Sequence, residues 1–368
     1  MCELITYIFR NPSPAFHSVE EVFNAVIPEI AKQLPVSRME LPFPSCRGGV
    51  LKNLVSFRKE KNRLYHITGQ EYYIALRTGR NTVLTIHDVG SAFSGKWLRD
   101  TLVRIFWFWL PALIARRITV ISEFSRGELV KLVPFAACKI RVIPNPRNPA
   151  MEYLPKSFNA ERPGILLMGT KSNKNLERII PALKDIPCRL VIVGKLSSEQ
   201  LSLLDKTGFY RESNPLLLME NEYHETPGLK SPKEPVPVSR EDVRVNSAIR
   251  NTFANYHNLP YKEILALYRE CDLLCFASTY EGFGLPILEA QATGRAVVTS
   301  TVASMPEVAG EGACLVDPFS VDAIREGVSK VIREEAYRET LISKGLQNVE
   351  RFRVEKIAAG YLEVYNNI

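Results

Sequence analysis

Short apolar runs alternate with longer amphipathic segments along most of this chain. The apolar runs have the length of buried strands, and helix-start signals such as the capping-box pair Ser18 and Glu21 stand between them. Such runs lie at residues 4–9, 63–67, 82–86, 118–121, 139–143, 165–168, 189–193, 273–277, 296–299 and 314–316. Because strands that alternate with helices form parallel sheets, the pattern predicts an α/β fold.

The length of the chain, 368 residues, exceeds what one hydrophobic core usually supports, so two domains are expected. The proline-containing segment 145–149 interrupts the pattern and marks the link between them. We predict an N-terminal domain over residues 1–155, a C-terminal domain over residues 156–350 and a closing helix over residues 351–368. Residues 208–250 are predicted to be an insertion, because the tract 222–244 within them is rich in Pro, Glu and Lys and lacks periodic apolar positions.

Composition narrows the class of protein. An apolar fraction of 46% and a charged fraction of 24% are typical of a globular domain, and a net charge of +7, spread along the chain, does not indicate nucleic acid binding. The seven cysteines are dispersed without a CxxC pair, which favours reduced thiols in the cytoplasm. No secretory signal and no run of about eighteen apolar residues is present, so we expect no membrane span.

The most informative stretch, residues 278–300, reads STYEGFGLPILEAQATGRAVVTS. Glu281 precedes a Gly-Phe-Gly turn, Pro286 suits the first turn of a helix, and Glu289 lies within that helix. Gly294 suits the position just beyond the helix end. The segment is therefore predicted to be a loop that leads into a short helix, with one carboxylate on each.

This loop has the chemistry of a nucleotide-sugar site. Unpaired amides of Phe283, Gly284 and Leu285 at a helix N-terminus suit a phosphate. Two carboxylates beside an anion site make sense when the ligand also carries hydroxyl groups, with Glu289 on a ribose and Glu281 on a sugar. The alternative is that Glu281 caps a loop and Glu289 complements the helix dipole.

The same segment resembles the E-x7-E signature of the retaining glycosyltransferase family 4. The matching positions are Glu281, Gly282, Phe283, Gly284, Leu285, Pro286, Glu289, Gly294, Ser300, Pro306, Glu307, Val308 and residues 315–318. The resemblance implies the GT-B fold, in which two Rossmann-like domains with parallel sheets face each other across an interdomain cleft. It also implies that the first domain binds the acceptor, that the second binds the nucleotide sugar, and that the last helix returns to the first domain.

Two residues outside the signature complete the predicted site. Lys174 lies in the polar loop 169–175, at the entry to a helix predicted over residues 176–183. It is well placed there to meet a diphosphate as a point charge, and the resembling family has a lysine here. His87 ends a buried strand, where ligands of α/β sheets gather, and the resemblance implies a position beside the transferred sugar. Such an imidazole could donate a hydrogen bond to a sugar hydroxyl. The alternative for His87 is a structural role with Asp88 as its partner.

Residues 94–117 are aromatic, apolar and flanked by basic side chains. They hold Trp97, Trp107 and Arg116, and such a segment suits a helix at a membrane interface. An ordinary buried helix of the first domain explains the same pattern, so both interpretations remain open. Pro111 is expected to kink or divide the helix.

These features predict a cytoplasmic hexosyltransferase, at the inner face of the membrane if residues 94–117 contact lipid. Its donor would be a GDP- or UDP-sugar, and its acceptor a lipid-linked or growing saccharide in bacterial cell-surface polysaccharide synthesis. Catalytic roles fall to His87 and Glu281, and donor binding to Lys174, Glu289 and residues 282–285. No metal or cofactor is expected, since no Asp-x-Asp motif is evident. The resemblance implies retention, through either a protein nucleophile or front-face attack. The alternatives are an epimerase of the same fold and a non-enzymatic subunit that binds membranes or partners.

Overall fold

Two parallel sheets with helices around them make up the part of the chain that the structure describes. This computed structural model describes residues 4–11, 18–46, 48–93, 95–212 and 251–368. Most of the predicted insertion lies outside these residues. The predicted α/β class is confirmed by the sheets themselves.

Six described strands form the first sheet, in the order β2-β1-β3-β4-β5-β6, and all neighbours are parallel. They are β1 (Leu4–Phe9), β2 (Val36–Glu40), β3 (Arg63–Ile67), β4 (Thr82–Ile86), β5 (Arg117–Val120) and β6 (Ile140–Val142). From β1 the chain passes to β2 on one side, and it then crosses to β3 on the other side of β1. The switch point therefore lies between β1 and β3, and in such sheets the ligand crevice lies outside the carboxyl ends of the two strands at this point.

The helices of the first domain are α1 (Ser18–Ala31), α2 (Gly49–Ser56), α3 (Ala75–Thr78), α4 (Trp97–Val103), α5 (Leu110–Ile114) and α6 (Glu123–Leu132). Helix α6 begins at Glu123, because the Ser122 hydroxyl caps it by accepting a hydrogen bond from the Ser125 amide at 3.0 Å. Short 3-10 turns lie at Tyr72–Ile74, Gly90–Ala92 and Pro134–Lys139.

A π-helical turn, Arg104–Trp109, joins α4 to α5 into one helical segment. Pro111, near the start of α5, has no N–H with which to continue the α-helical bonding pattern, and the π-helical turn lies just before it. Trp107, within this turn, is half-buried: its ring lies 5.3 Å from that of Tyr73 and packs on the core. Contact of this segment with a membrane stays a prediction.

The second sheet has seven described strands in the order β13-β12-β11-β7-β8-β10-β9, again parallel throughout. They are β7 (Gly164–Met168), β8 (Arg189–Val193), β9 (Tyr210–Arg211), β10 (Thr252–Tyr256), β11 (Leu273–Phe276), β12 (Ala296–Ser300) and β13 (Cys314–Val316). The chain leaves β7 toward β8 and later returns to β11 on its other side. The second switch point therefore lies between β7 and β11.

The helices of the second half are α7 (Leu176–Leu183), α8 (Ser198–Lys206), α9 (Tyr261–Glu270), α10 (Leu285–Ala292), α11 (Met305–Ala309), α12 (Val321–Arg333), α13 (Glu335–Asn348) and α14 (Val354–Asn366). Two 3-10 turns, Ser172–Lys174 and Val349–Phe352, precede α7 and α14. The helix predicted to begin at Pro286 is confirmed as α10, which begins one residue earlier, and Gly294 lies just beyond its end with φ +75°.

Several elements were not predicted, among them β2, α2, β9 and β10. Strand β2 is an edge strand whose residues are half-buried or exposed, and its polar positions hide the strand pattern. Helix α2 is short and lacks a capping side chain. Strand β10, just after the insertion, pairs with β9, which lies inside the predicted insertion. The sheet therefore extends into the first residues of the predicted insertion.

The last helix packs on the first domain, as the resemblance implied. Apolar residues of α14, including Ile357 and Leu362, share a buried cluster with β1 and α1. A buried chain of hydrogen bonds reinforces the contact: the Tyr365 hydroxyl lies 2.9 Å from that of Tyr7 and 2.6 Å from His66 Nδ1. The other ring nitrogen of His66 lies 2.7 Å from Thr85 Oγ1.

Burial of His66 makes the stability of the first domain sensitive to acid. Burial, together with a smaller effect of the nearby His87, lowers the pKa of His66 from 6.5 to about 3. The unfolded chain therefore binds more protons below pH 6.5, and stability falls from there toward pH 3, by up to about 1.4 kcal/mol per pH unit. We expect the denaturation midpoint of His66→Gln to depend less on pH than that of wild type between pH 6.5 and 4.5. Substitution of the exposed His257 is the control, and parallel pH profiles for wild type and His66→Gln would refute the expectation.

Candidate active site

The two loops that carry the predicted residues leave the second sheet at its switch point. One follows β7 and includes Lys174, and the other follows β11 and includes Glu281. Thr279 of the second loop donates its main-chain N–H to the Asn173 carbonyl of the first at 2.8 Å, so the loops are held side by side. This edge of the sheet is where α/β proteins bind their ligands.

Lys174 and Glu281 meet in a direct ion pair. Lys174 Nζ donates to Glu281 Oε1 at 2.6 Å, and Asn173 Nδ2 donates to the same oxygen at 3.0 Å. The two charged side chains are only 19% and 16% exposed, so water screens their attraction poorly. An ammonium group carries three N–H donors, so the bond to Glu281 leaves two for phosphate oxygens.

Two contacts fix the Lys174 side chain, one with the Phe276 ring and one with Gly169. Its ammonium lies 4.5 Å from the centre of the Phe276 ring, a distance typical of a cation–π contact. Its methylene groups cross Gly169, where a Cβ atom would lie 2.8 Å from Lys174 Cε. A side chain at residue 169 would displace the lysine from the loop.

The loop that carries Glu281, residues 277–284 and here called the glutamate loop, is held by its carbonyl groups. Ser304 Oγ lies 2.8 Å from the carbonyl oxygens of both Glu281 and Phe283, and donates to them. Within the described residues, by contrast, the main-chain N–H groups of Phe283, Gly284 and Leu285 have no intramolecular acceptor. The loop thus presents unpaired amides at the start of α10, which suits an anionic ligand.

Glu289 lies in the second turn of α10 and is half-buried. Its Oε2 accepts a hydrogen bond from the buried Tyr268 hydroxyl at 2.6 Å. This bond orients the carboxylate. A carboxylate has acceptor capacity for several donors, so ribose hydroxyls can bind beside Tyr268. The ribose role remains a prediction.

His87 follows β4 on the first domain and faces the same loop. Its carbonyl oxygen would lie 2.5 Å from a Cβ atom on Gly282, so only glycine at residue 282 permits this approach of the domains. The partner of the ring is the Thr68 carbonyl, 2.8 Å from Nε2, and not Asp88 as the structural alternative supposed. Asp88 instead accepts from the Gly90 amide at 2.9 Å.

The hydrogen bond to Thr68 also fixes the chemistry of the His87 ring. A carbonyl can only accept, so Nε2 carries the proton. Burial lowers the pKa of His87, which keeps the ring neutral and leaves Nδ1 as an acceptor. Through Nδ1 the ring can accept a hydrogen bond from a hydroxyl group but cannot donate one, so the predicted donation to a sugar hydroxyl does not fit this arrangement.

The structure also brings in residues that the sequence did not single out for the site. They are Asn173, Tyr268, Ser304 and Glu307, together with Ser122 and Ser125 in contact with the loop. Their contacts join positions far apart in the chain, which a single sequence does not reveal. Among the described residues, no group of three or more His, Cys, Asp or Glu side chains could hold a metal ion.

Two family profiles match different halves of the chain. The profile described as Glycosyltransferase Family 4 matches residues 51–150, and that described as Glycosyl transferases group 1 matches residues 246–348. O-antigen chain mannosyltransferase B of Escherichia coli is 27% identical over 313 residues, which cover 84% of this chain and 76% of that protein. The serotype-specific mannosyltransferase WbdA of Escherichia coli is 38% identical over 90 residues, which cover 24% of this chain and only 11% of that protein.

Solved structures confirm the fold. HepE from Anabaena, crystallised with UDP and glucose, superposes with a TM-score of 0.67 and 17% identity, over the whole of both chains. A likeness at this identity shows the GT-B architecture, and the two profiles supply the family. The chain therefore belongs to glycosyltransferase family 4 and is a nucleotide-sugar-dependent hexosyltransferase with the GT-B fold.

Proposed function

We propose that the enzyme transfers a hexosyl unit, with mannose as the first candidate, from a nucleotide diphosphate to a hydroxyl of a growing or lipid-linked saccharide. The observation that carries the proposal is the contact of Lys174 with Glu281 at the switch point, beside unpaired loop amides. The names of the two mannosyltransferase relatives support mannose, and thus GDP-mannose as donor. The UDP bound by HepE supports the wider class of nucleotide diphosphate donors.

In the proposed reaction the diphosphate lies against Lys174 and the amides of residues 283–285. The bond between the anomeric carbon and the diphosphate breaks, and these groups stabilise the charge that grows on the leaving oxygen. Glu281 binds sugar hydroxyls, Glu289 binds the ribose, and Nδ1 of His87 accepts from a further hydroxyl of the sugar.

Retention follows from front-face attack in this proposal. The acceptor oxygen bonds to the anomeric carbon on the side that the diphosphate leaves, and its proton passes to the departing phosphate oxygen. Glu281 is a weak candidate for a nucleophile, because Lys174 and Asn173 both donate to its Oε1.

The acceptor is proposed to lie at the switch point of the first sheet. Arg10, after β1, forms a two-pronged ion pair with Glu20 through bonds of 2.7 Å each. Thr68, after β3, holds the His87 ring. This polar edge lies next to the glutamate loop, since the His87 carbonyl contacts Gly282. Sugar hydroxyls can exchange hydrogen bonds with such groups.

A transfer assay with a panel of donors tests the proposal. GDP-mannose, UDP-glucose and dTDP-glucose are each incubated with free and lipid-linked saccharides, and products are identified by mass spectrometry. We expect one hexose to be added from GDP-mannose, with the donor's anomeric configuration kept. Absence of transfer from every donor would refute it, and formation of an epimer from donor alone would favour the epimerase alternative.

The first domain also exposes an apolar surface, here called the α4–α5 surface. Its exposed side chains are Trp97, Leu98, Leu102, Phe106, Trp109 and Leu113, and Trp97 is 80% exposed. Basic side chains of Lys96, Arg99 and Arg116 are exposed beside it. Contiguous exposed apolar side chains with basic neighbours suit the interface of an anionic bilayer. No helix among the described residues is both long and apolar enough to cross a membrane.

We propose that the α4–α5 surface rests on the inner face of the membrane, where a lipid-linked acceptor would be within reach. A cytoplasmic location fits the six described cysteines, all of which are unpaired: Cys46, Cys138, Cys188, Cys271, Cys275 and Cys314.

Liposome flotation tests this surface. Wild-type protein is expected to float with vesicles that contain phosphatidylglycerol, and the double variant Trp97→Ala, Leu98→Ala to bind about tenfold more weakly, since two exposed apolar side chains are lost. Phe319→Ala, which removes an apolar side chain 58% exposed on the second domain, is the control. Equal flotation of wild type and double variant would contradict the proposal.

A further inference from the structure

Helix α6 of the first domain holds the glutamate loop of the second. The hydroxyls of Ser122 and Ser125, at the start of α6, both donate to the Gly282 carbonyl, at 2.7 and 3.0 Å. The Phe124 ring packs edge-on against Tyr280 with centroids 5.4 Å apart. The loop that carries Glu281 is thus bound by both domains.

The Glu307 carboxylate of the second domain lies at the N-terminus of the same helix. It accepts the Glu123 N–H through Oε1 at 2.9 Å and Oε2 at 3.0 Å, and the Phe124 N–H lies 3.4 Å from Oε2. The first N–H groups of a helix lack intrahelical partners, and the helix dipole makes this end positive. A carboxylate from another domain therefore satisfies donors that local residues leave unpaired.

Helix α11 connects the two sets of contacts. Ser304, immediately before α11, donates to the carbonyls of Glu281 and Phe283, and Glu307 lies within α11 itself. One short element thus holds the glutamate loop at one end and the first domain at the other. Displacement of α6 from Glu307 would change the support of the loop on both sides.

We propose that Glu307 is a positioning residue that couples closure of the two domains to the placement of the Glu281 loop. Contact of the α6 N-terminus with the Glu307 carboxylate brings Ser122 and Ser125 to the Gly282 carbonyl. The same contact holds His87 against the glutamate loop. Donor binding depends on the second domain and persists without this contact, whereas transfer requires both domains. The inference rests on the donor position given under Proposed function.

The variant Glu307→Gln tests the coupling because it keeps the size of the side chain and removes its charge and one acceptor. We expect a correctly folded protein that binds GDP-mannose within about threefold of the wild-type Kd and has a kcat lowered about 10- to 100-fold. We also expect a larger radius of gyration by small-angle X-ray scattering, since the domains separate. Glu311→Gln is the control, because this glutamate pairs with Lys344 on the surface of the second domain.

Wild-type kcat and radius of gyration in Glu307→Gln would overturn the proposal, as would equal losses of donor binding and turnover. If Glu307→Gln fails to fold, Ser122→Ala provides the same test through the Gly282 carbonyl. If wild-type protein binds no nucleotide sugar, the proposed donor site fails, while the scattering measurement still decides whether Glu307 holds the domains together.

Discussion

The Glu281→Gln variant is expected to fold normally and to lose kcat by two to three orders of magnitude, about 3–4 kcal/mol of transition-state stabilisation. The carboxylate accepts from Lys174 and Asn173 and would bind hydroxyls of the transferred sugar. Glutamine keeps the shape of the side chain, but it replaces one carboxylate oxygen by an NH2 group and carries no charge. It therefore cannot accept charge-assisted hydrogen bonds as the carboxylate does. Without its carboxylate partner, the Lys174 ammonium has one more N–H to donate to the diphosphate of the donor. We therefore expect no rise in the KM for donor.

Steady-state kinetics with saturating acceptor measures this effect. The control is Glu177→Gln at the start of α7, a side chain that is 53% exposed and pairs with its neighbour Arg178. It should leave kcat within twofold of wild type. Wild-type turnover in Glu281→Gln would remove Glu281 from the site.

The Lys174→Met variant is expected to lower kcat/KM by two to three orders of magnitude, with contributions from both a raised donor KM and a lowered kcat. Methionine retains the apolar stem across Gly169 but removes the charge that would meet the diphosphate in both ground and transition states. Glu281 would also be left with Asn173 as its remaining hydrogen-bond partner in the site.

Lys171→Met provides a matched control, because this lysine belongs to the same loop and is exposed. Calorimetry with the nucleotide diphosphate alone separates the two contributions, since it reports ground-state binding. Equal effects of Lys171→Met and Lys174→Met would indicate a general electrostatic attraction in place of a specific contact.

Local signals in the sequence were sufficient for many elements. The capping-box pair Ser18 and Glu21 located the start of α1, and the polar loop before residue 176 located the start of α7. The turn, proline and glycine around Glu281 and Glu289 located α10. These signals act through backbone groups within a few residues, so they can be interpreted without knowledge of the tertiary structure.

Contacts between distant parts of the chain could not be predicted in this way. Gly282 was recognised as part of a turn, but its close approach to the His87 carbonyl depends on the position of another domain. The same holds for Glu307, whose carboxylate caps a helix that begins at residue 123. The inward direction of Trp107 depends on a π-turn, which amphipathic periodicity does not indicate.

A crystal structure with bound GDP-mannose, or with whichever nucleotide sugar proves to be the donor, tests the site most directly. We expect Lys174 Nζ and the amides of residues 283–285 within hydrogen-bonding distance of the diphosphate, with the ribose hydroxyls on Glu289. A nucleotide bound away from the switch point between β7 and β11, or a diphosphate beyond reach of Lys174, would contradict the proposed function.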